Sequence, residues 1–239
     1  MSETELIAAE VVQLAVGMPK RYGNPESSDP MQRVWTTGFF KQPVEGEVQL
    51  NQLGFEGDGV ADLVNHGGVD KAVLCYCAEH YPVWRNEFQQ LDSLASSFPV
   101  KDFGNGAFGE NLTVSGLSEE TVCLGDVYEI GTAKVQVSQP RQPCWKLGRR
   151  WELKQLTALA VTTGRMGWYI RVLEEGAVAK GQSMQLIERP LPDWPIARVN
   201  ELFYRDRHNV EDARTMADCP LLAEVWREDF RSRVKKSEG

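Results

Sequence analysis

Over the first three-quarters of the chain, apolar and β-branched residues recur in short runs of strand length, each closed by glycine or a polar cluster. Val11 to Gly17 predicts a first strand that ends at its glycine. Met18 to Met31 holds three prolines among Ser, Asn and Asp, which predicts a long surface loop with Lys20 and Arg21 as solvated charge. Val34 to Phe40 and Val44 to Leu50 carry strand-type residues on either side of Lys41-Gln42-Pro43. Lys71 opens an apolar strand reaching Tyr76, and Ala78 to Phe88 predicts a helix whose Tyr81, Trp84 and Phe88 form a core stripe. Leu91 to Lys101 reads as a loop with short ordered pieces. Gly104 to Val114 is glycine-rich and then strand-like, and Leu124 to Gly131 with Ala133 to Val137 predicts a hairpin. Leu153 to Thr163 predicts a helix ended by Gly164. Gly167 to Leu173 and Ser183 to Glu188 supply the last strands, with Gly176 and Gly181 at turns. About eight to ten short strands with few helices make a mainly β, barrel-like domain.

The pattern changes at Arg189-Pro190-Leu191-Pro192-Asp193-Trp194-Pro195, a stiff boundary that divides residues 1–190 from residues 191–239. Beyond it, Ile196, Val199, Leu202 and Phe203, then Val210, Ala213 and Met216, fall at helical spacing. Pro220 sits at a first-turn position ahead of Leu221, Leu222, Val225, Trp226, Phe230 and Val234. This is a small three-helix appendage. From Ile196 to Gly239, nine Lys plus Arg balance nine Asp plus Glu, whereas a DNA reader would be clearly basic. A docking or dimerisation module is expected instead, which allows a homodimer. So short a segment is marginal alone and should pack on the barrel or on another subunit.

Charge and cysteine usage narrow the picture. The formal charge of −8 argues against binding a nucleic-acid polymer, yet leaves room for a local basic pocket. No window approaches the ~18 apolar residues of a membrane helix. The acidic start, Met1-Ser-Glu-Thr-Glu, is unlike a secretory signal, and five cysteines at irregular spacing make no disulfide framework. A cytoplasmic location is expected.

The candidate chemistry centres on Ser138 to Leu147, expected as a stiff extended loop held by Pro140 and Pro143. It ends on a single cysteine, Cys144, with Arg141 before it and Lys146 and Arg149 after it. Nearby cations favour a thiolate, the form that binds metals or attacks substrates. His66-Gly67-Gly68 is a second focus, because the diglycine lets a ligand approach the backbone. Glu110 and Asn111 sit where a glycine loop meets a strand. The glycines of Gly54-Phe55-Glu56-Gly57-Asp58-Gly59 suit a tight turn as well as a site. Cys75 and Cys77 point to one face of a strand without a zinc-type partner pair, and read as small apolar side chains.

Five motifs then occur in a telling order: Gly54 to Asp58, His66-Gly-Gly with Lys71-Ala-Val, Phe108 to Leu112, Gly125-Asp126, and Gln139 to Lys146. Together they resemble the MOSC domain, named for the C-terminal domain of molybdenum cofactor sulfurases. The tail from Ile196 resembles the three-helix appendage of the YiiM-type bacterial members. The resemblance implies a barrel-like fold and a pterin molybdenum cofactor (molybdopterin). Like the mitochondrial amidoxime-reducing component, such proteins reduce N-hydroxylated bases and amines, including 6-N-hydroxylaminopurine, to amine and water, a detoxification. The Arg-x-Pro-Cys pattern maps the molybdenum-ligating cysteine onto Cys144. Lys41, Lys71, Arg141, Asn111 and the His66-Gly67-Gly68 loop become candidates for binding the cofactor, and His66 or Glu110 for giving a proton to the leaving oxygen. No flavin, haem or iron–sulfur motif is visible, so electrons should come from a separate reductase of the flavoprotein class. Two alternatives stay open. Cys144 could act as persulfide carrier or metal ligand in a sulfur-transfer or cofactor-carrier module, although no pyridoxal-dependent desulfurase domain accompanies it. The chain could also be a noncatalytic interaction protein.

Overall fold

The computed structural model describes residues 9–90 and 98–238. Most of the expected loop from Leu91 to Lys101 lies outside them. The chain opens with β1 (Ala9–Val16), β2 (Lys20–Tyr22), β3 (Trp35–Thr37), β4 (Gln42–Pro43), β5 (Glu47–Asn51) and β6 (Gly54–Phe55). Then come α1 (Leu63–His66), β7 (Val73–Cys77), α2 (His80–Gln90), β8 (Leu112–Ser115), β9 (Val127–Ile130) and β10 (Ala133–Pro140). The second half holds α3 (Trp145–Arg150), α4 (Leu156–Thr163), β11 (Trp168–Glu174), β12 (Gly176–Ala179) and β13 (Ser183–Glu188). Three helices close the chain: α5 (Ile196–Tyr204), α6 (Val210–Asp218) and α7 (Glu224–Glu238).

Seven strands form a closed barrel in the order β13-β9-β10-β11-β7-β8-β1, because β1 pairs back onto β13 at Ala9↔Met184. Closure removes the exposed edges that an open sheet would leave for aggregation. Neighbours are antiparallel except β7 and β8, which run parallel, and β4 extends the sheet from the far end of β1. Alternating residues of the strands fill the barrel: Val135 and Val137 of β10, Trp168 and Ile170 of β11, Val73 and Cys75 of β7. All five residues of β7 are buried, since its outer face carries a second core. There Tyr76 stacks on Phe108 at 4.1 Å, and Tyr81, Trp84 and Phe88 of α2 join it, as the aromatic stripe predicts. Cys75 packs in the barrel core as expected, whereas Cys77, also buried, donates its thiol to Glu79 Oε2 at 3.1 Å.

Four local expectations change. Strand β2 lies inside the expected long loop and pairs with β3, which is shorter than the predicted Val34 to Phe40 run. The strand predicted over Val44 to Leu50 begins at Glu47, and its partner is β12, whose Gly176 sits in a strand rather than a turn. Only glycine fits there, as a Cβ would meet the Thr132 carbonyl carbon at 2.4 Å. Helix α7 starts at Glu224, past Pro220. The expected loop over Ser138 to Leu147 is instead strand as far as Pro140, then four residues of extended chain, then helix α3.

The appendage packs on the barrel of its own chain. Backbone N–H groups of Leu124, Ile196 and Ala223 donate to the carbonyls of Trp194, Val122 and Ser138, at 2.9, 2.8 and 3.0 Å. Leu124 enters the helical core beside Trp194, Leu202, Met216, Trp226 and Phe230. Buried Asp126, from the Gly125-Asp126 motif, accepts from both Nε and Nη2 of Arg189, at 2.9 and 2.7 Å, and so ties the boundary segment down. No described helix is long and apolar enough to cross a membrane.

Candidate active site

Cys144 is organised by what flanks it. On its N-terminal side, β10 carries a bulge: Val137 faces Ile170 and Gln139 faces Tyr169, so Ser138 is the extra residue. A bulge bends a strand and re-aims the side chains after it. Here it ends the in-out alternation, and Ser138, Gln139, Pro140 and Arg141 are all buried. The Ser138 hydroxyl anchors the bulge by donating to the carbonyls of Asp70 and Tyr169, at 2.6 and 3.0 Å. On the C-terminal side, Cys144 is the extended residue capping α3, and its carbonyl accepts from Leu147 N at 3.1 Å and Thr157 Oγ1 at 3.2 Å. Both sides of the cysteine are therefore fixed by backbone contacts, while its thiol is left free and half-buried. The other four cysteines are buried. Burial raises the Cys75 and Cys123 thiols, and burial together with Glu79 pushes Cys77 up to about 12. Cys144 is the accessible thiol of the set.

Cys144 lines a cleft of about 830 Å³, solvent mouth included, at one end of the barrel. Four cations (Lys41, Lys71, Arg141 and Lys146) face it against two carboxylates, Asp58 and Asp62. Two positive charges in excess, within a chain of net −8, make a local site for an anion. Arg141 is 4% exposed; its Nη2 donates to Phe108 O at 3.0 Å, while its Nη1 has no partner among the described residues. A buried guanidinium nitrogen left unpaired in a cationic cleft is an open donor for a phosphate or carboxylate oxygen.

The remaining expected residues divide. His66, at the end of α1, lines the cleft; burial and then Lys146 hold its imidazole below the usual histidine range, against the pull of Asp62. Lys71 also lines it, held down by burial, and its Nζ donates to Asn65 O at 2.7 Å across the His66-Gly67-Gly68 loop. Gly68 takes φ +99°, where an L side chain would be strained. Lys41 is inside the cleft but paired with Asp58, and burial holds its ammonium below the ordinary lysine value. Asn111 reaches the cleft, yet its amide is committed: Nδ2 donates to Asp58 Oδ2 at 2.9 Å and Ala15 O at 3.3 Å, and Oδ1 accepts from Leu74 N at 3.2 Å. Its place is in the frame that positions Asp58 and Lys41.

Two expectations are corrected. Glu110 does not reach the cleft: it is fully buried and takes donations from Tyr81 OH, Gly106 N, Phe108 N and Thr113 Oγ1. A carboxylate so enclosed braces the Gly104 to Phe108 loop and has no path to a substrate. Arg149 turns away from Cys144, stacking against Trp35 and Trp145 at 4.9 and 5.5 Å and donating to Met31 O. Sequence reasoning passed over Asp58 as a site residue, although its glycine-interleaved motif was the available signal. It also passed over Phe39 and Tyr169, which line the cleft and carry no sequence signal of their own.

Among the described residues no group of three or more His, Cys, Asp and Glu could hold a metal ion unaided. Cys144 stands in the cleft as a single soft donor. A pterin with its own sulfurs and a phosphate fits this donor set, given a soft thiolate beside an unpaired buried guanidinium.

Comparison with known proteins agrees with this barrel and its helical appendage. The MOSC domain matches residues 62–185, and the YiiM-like 3-alpha helix domain matches residues 194–237. The uncharacterized protein YflK of Bacillus subtilis is 42% identical over 88% of this chain and 90% of its own length. A protein named reductase from Gibberella moniliformis is 34% identical over 84% of this chain, a match that spans 35% of that longer protein. The crystal structure of YiiM from Geobacillus stearothermophilus superposes with a TM-score of 0.75 at 36% identity, covering 95% of this chain and 99% of that one. The chain belongs to the MOSC domain family. Within it, the helical appendage makes it a YiiM-type member.

Proposed function

We propose that the chain is a molybdenum cofactor-dependent reductase of N-hydroxylated bases and amines, with 6-N-hydroxylaminopurine as a representative substrate. The carrying observation is the half-buried free thiol of Cys144 in a cationic cleft that holds the unpaired Nη1 of Arg141. The fungal relative named a reductase supports redox chemistry for the family, although most of that protein lies beyond the match. The bound cofactor would supply the two-electron step, R–NH–OH plus two electrons and two protons giving R–NH2 and water. Cys144 would hold the metal through its thiolate. Arg141, Lys146 and Lys71 would hold the phosphate end, whereas Gly67 and Gly68 line the adjoining cleft and not this one. His66, kept largely neutral by burial and its cationic neighbours, can relay a proton to the leaving oxygen. The electrons would come from a separate flavoprotein reductase. The test is metal analysis joined to a reduction assay on wild type and Cys144→Ala, both from cofactor-competent cells. Molybdenum in wild type with reduction lost in the variant supports the reading. A metal-free wild type, or a persulfide on Cys144 without any N–OH reduction, would overturn it.

A further inference from the structure

Cys144 also lines a second, adjoining cleft, which shares His66, Lys71 and Tyr169 with the first, and the two differ in chemistry. The second carries Asp62, Asp70 and Glu224 against Lys71, with Arg171 pairing Asp70 and Arg227 pairing Glu224 from behind. It therefore lacks the cationic excess of the first and is no home for a phosphate. Interspersed with these charges, Val64, Val69, Trp145 and Val225 line it and are 91, 53, 58 and 44% exposed. Gln139 lies in its wall, turned there by the bulge at Ser138. Gln139 is 1% exposed, its Nε2 donates to Pro140 O, and its Oε1 has no donor among the described residues. A buried amide oxygen without a donor is destabilising, and a ligand N–H reaching it would complete its hydrogen bonding. The opposite wall is Ala223, Glu224 and Val225 at the start of α7, pinned beside Gln139 by the hydrogen bond from Ala223 N to Ser138 O.

We infer that this second cleft is the substrate's, taking a flat, uncharged N-hydroxylated heteroaromatic ring. Gln139 Oε1 accepts an N–H of the ring and the appendage forms the outer wall. The inference rests on the proposed reaction for its substrate class, and it assigns the three-helix appendage a part in the site. In this arrangement the anionic cofactor and the uncharged substrate approach Cys144 through two adjoining clefts.

The test uses the full chain as wild type, Gln139→Leu and Val225→Trp. The second substitution is at a partly exposed position, which keeps the question answerable if the first disturbs the bulge. Molybdenum per chain should equal wild type in both, kcat should stay within about twofold, and KM for 6-N-hydroxylaminopurine should rise about tenfold, the worth of about 1.4 kcal/mol of binding. Unchanged KM in both variants overturns the assignment, and so does loss of molybdenum in step with loss of activity. Titration of the cofactor-free chains with adenine separates this inference from the proposed reaction. Binding about tenfold weaker in the variants supports the cleft even if wild type reduces nothing. Equal binding by all three chains, or none by wild type, overturns it.

Discussion

Two buried polar clusters stand on either side of Phe108, and they are built on opposite principles. Around Glu110 every acceptor is used: four donors from Tyr81, Gly106, Phe108 and Thr113 converge on one carboxylate. Burial and the charge of Glu110 raise the Tyr81 phenol well above its ordinary range, which keeps it the donor of that contact. Around Cys144 the polar groups are left short: among the described residues Arg141 Nη1 and Gln139 Oε1 have no partner, and the thiol is free. A satisfied network rigidifies, while an unsatisfied one costs stability unless something else completes it. The first cluster belongs to the scaffold, and the second is left open to a ligand.

Experiments can break that contrast. The largest expected effect on function is at Cys144: Cys144→Ala should abolish N–OH reduction and molybdenum retention while leaving the melting temperature within about two degrees of wild type, since little is buried there. The largest effect on folding should come from Glu110→Ala, which strands several buried donors and should cost about 3–5 kcal/mol in denaturant unfolding. Turnover per bound molybdenum should survive it; a specific loss of turnover in a folded protein would return Glu110 to the chemistry. Arg141→Lys keeps the charge but loses the fork, and should lower cofactor retention roughly tenfold, read as molybdenum per chain after dialysis. The smallest effect is a shift in pH profile. If His66 donates the proton, kcat should climb as pH falls through a pKa below the ordinary histidine value, because only the imidazolium carries the extra proton. Lys146→Met removes a repelling charge, so imidazolium forms more readily and the limb should move to higher pH. A limb that stays in place would remove His66 from proton transfer.

The same contrast marks how far the site could be read from the residues. Cys144 stood out because Arg141 and Lys146 flank it and because it differs in setting from Cys75 and Cys77, which lie in an apolar strand. His66-Gly67-Gly68 was legible through its diglycine, whose second member needs φ +99°. Glu110 and Asn111 looked alike in sequence, polar pairs at the end of a glycine loop. Folding sent one into a closed network and the other to the frame behind Lys41 and Asp58. Arg149 sits five residues from Cys144, but the turn of α3 carries it to Trp35.

By itself the sequence determined the barrel class and the helical appendage and singled out Cys144 as the candidate thiol, because periodicity, glycine punctuation and the cations flanking a cysteine are local properties. Only the tertiary structure decided which polar groups would be satisfied and which left open. That depends on strand register and on one bulge, since inserting Ser138 between paired residues re-aims the segment after it, and Arg141 reaches the Phe108 carbonyl, 33 residues away. Hydrogen bonds at such separations are set by closure of the barrel, and no local pattern encodes their partners.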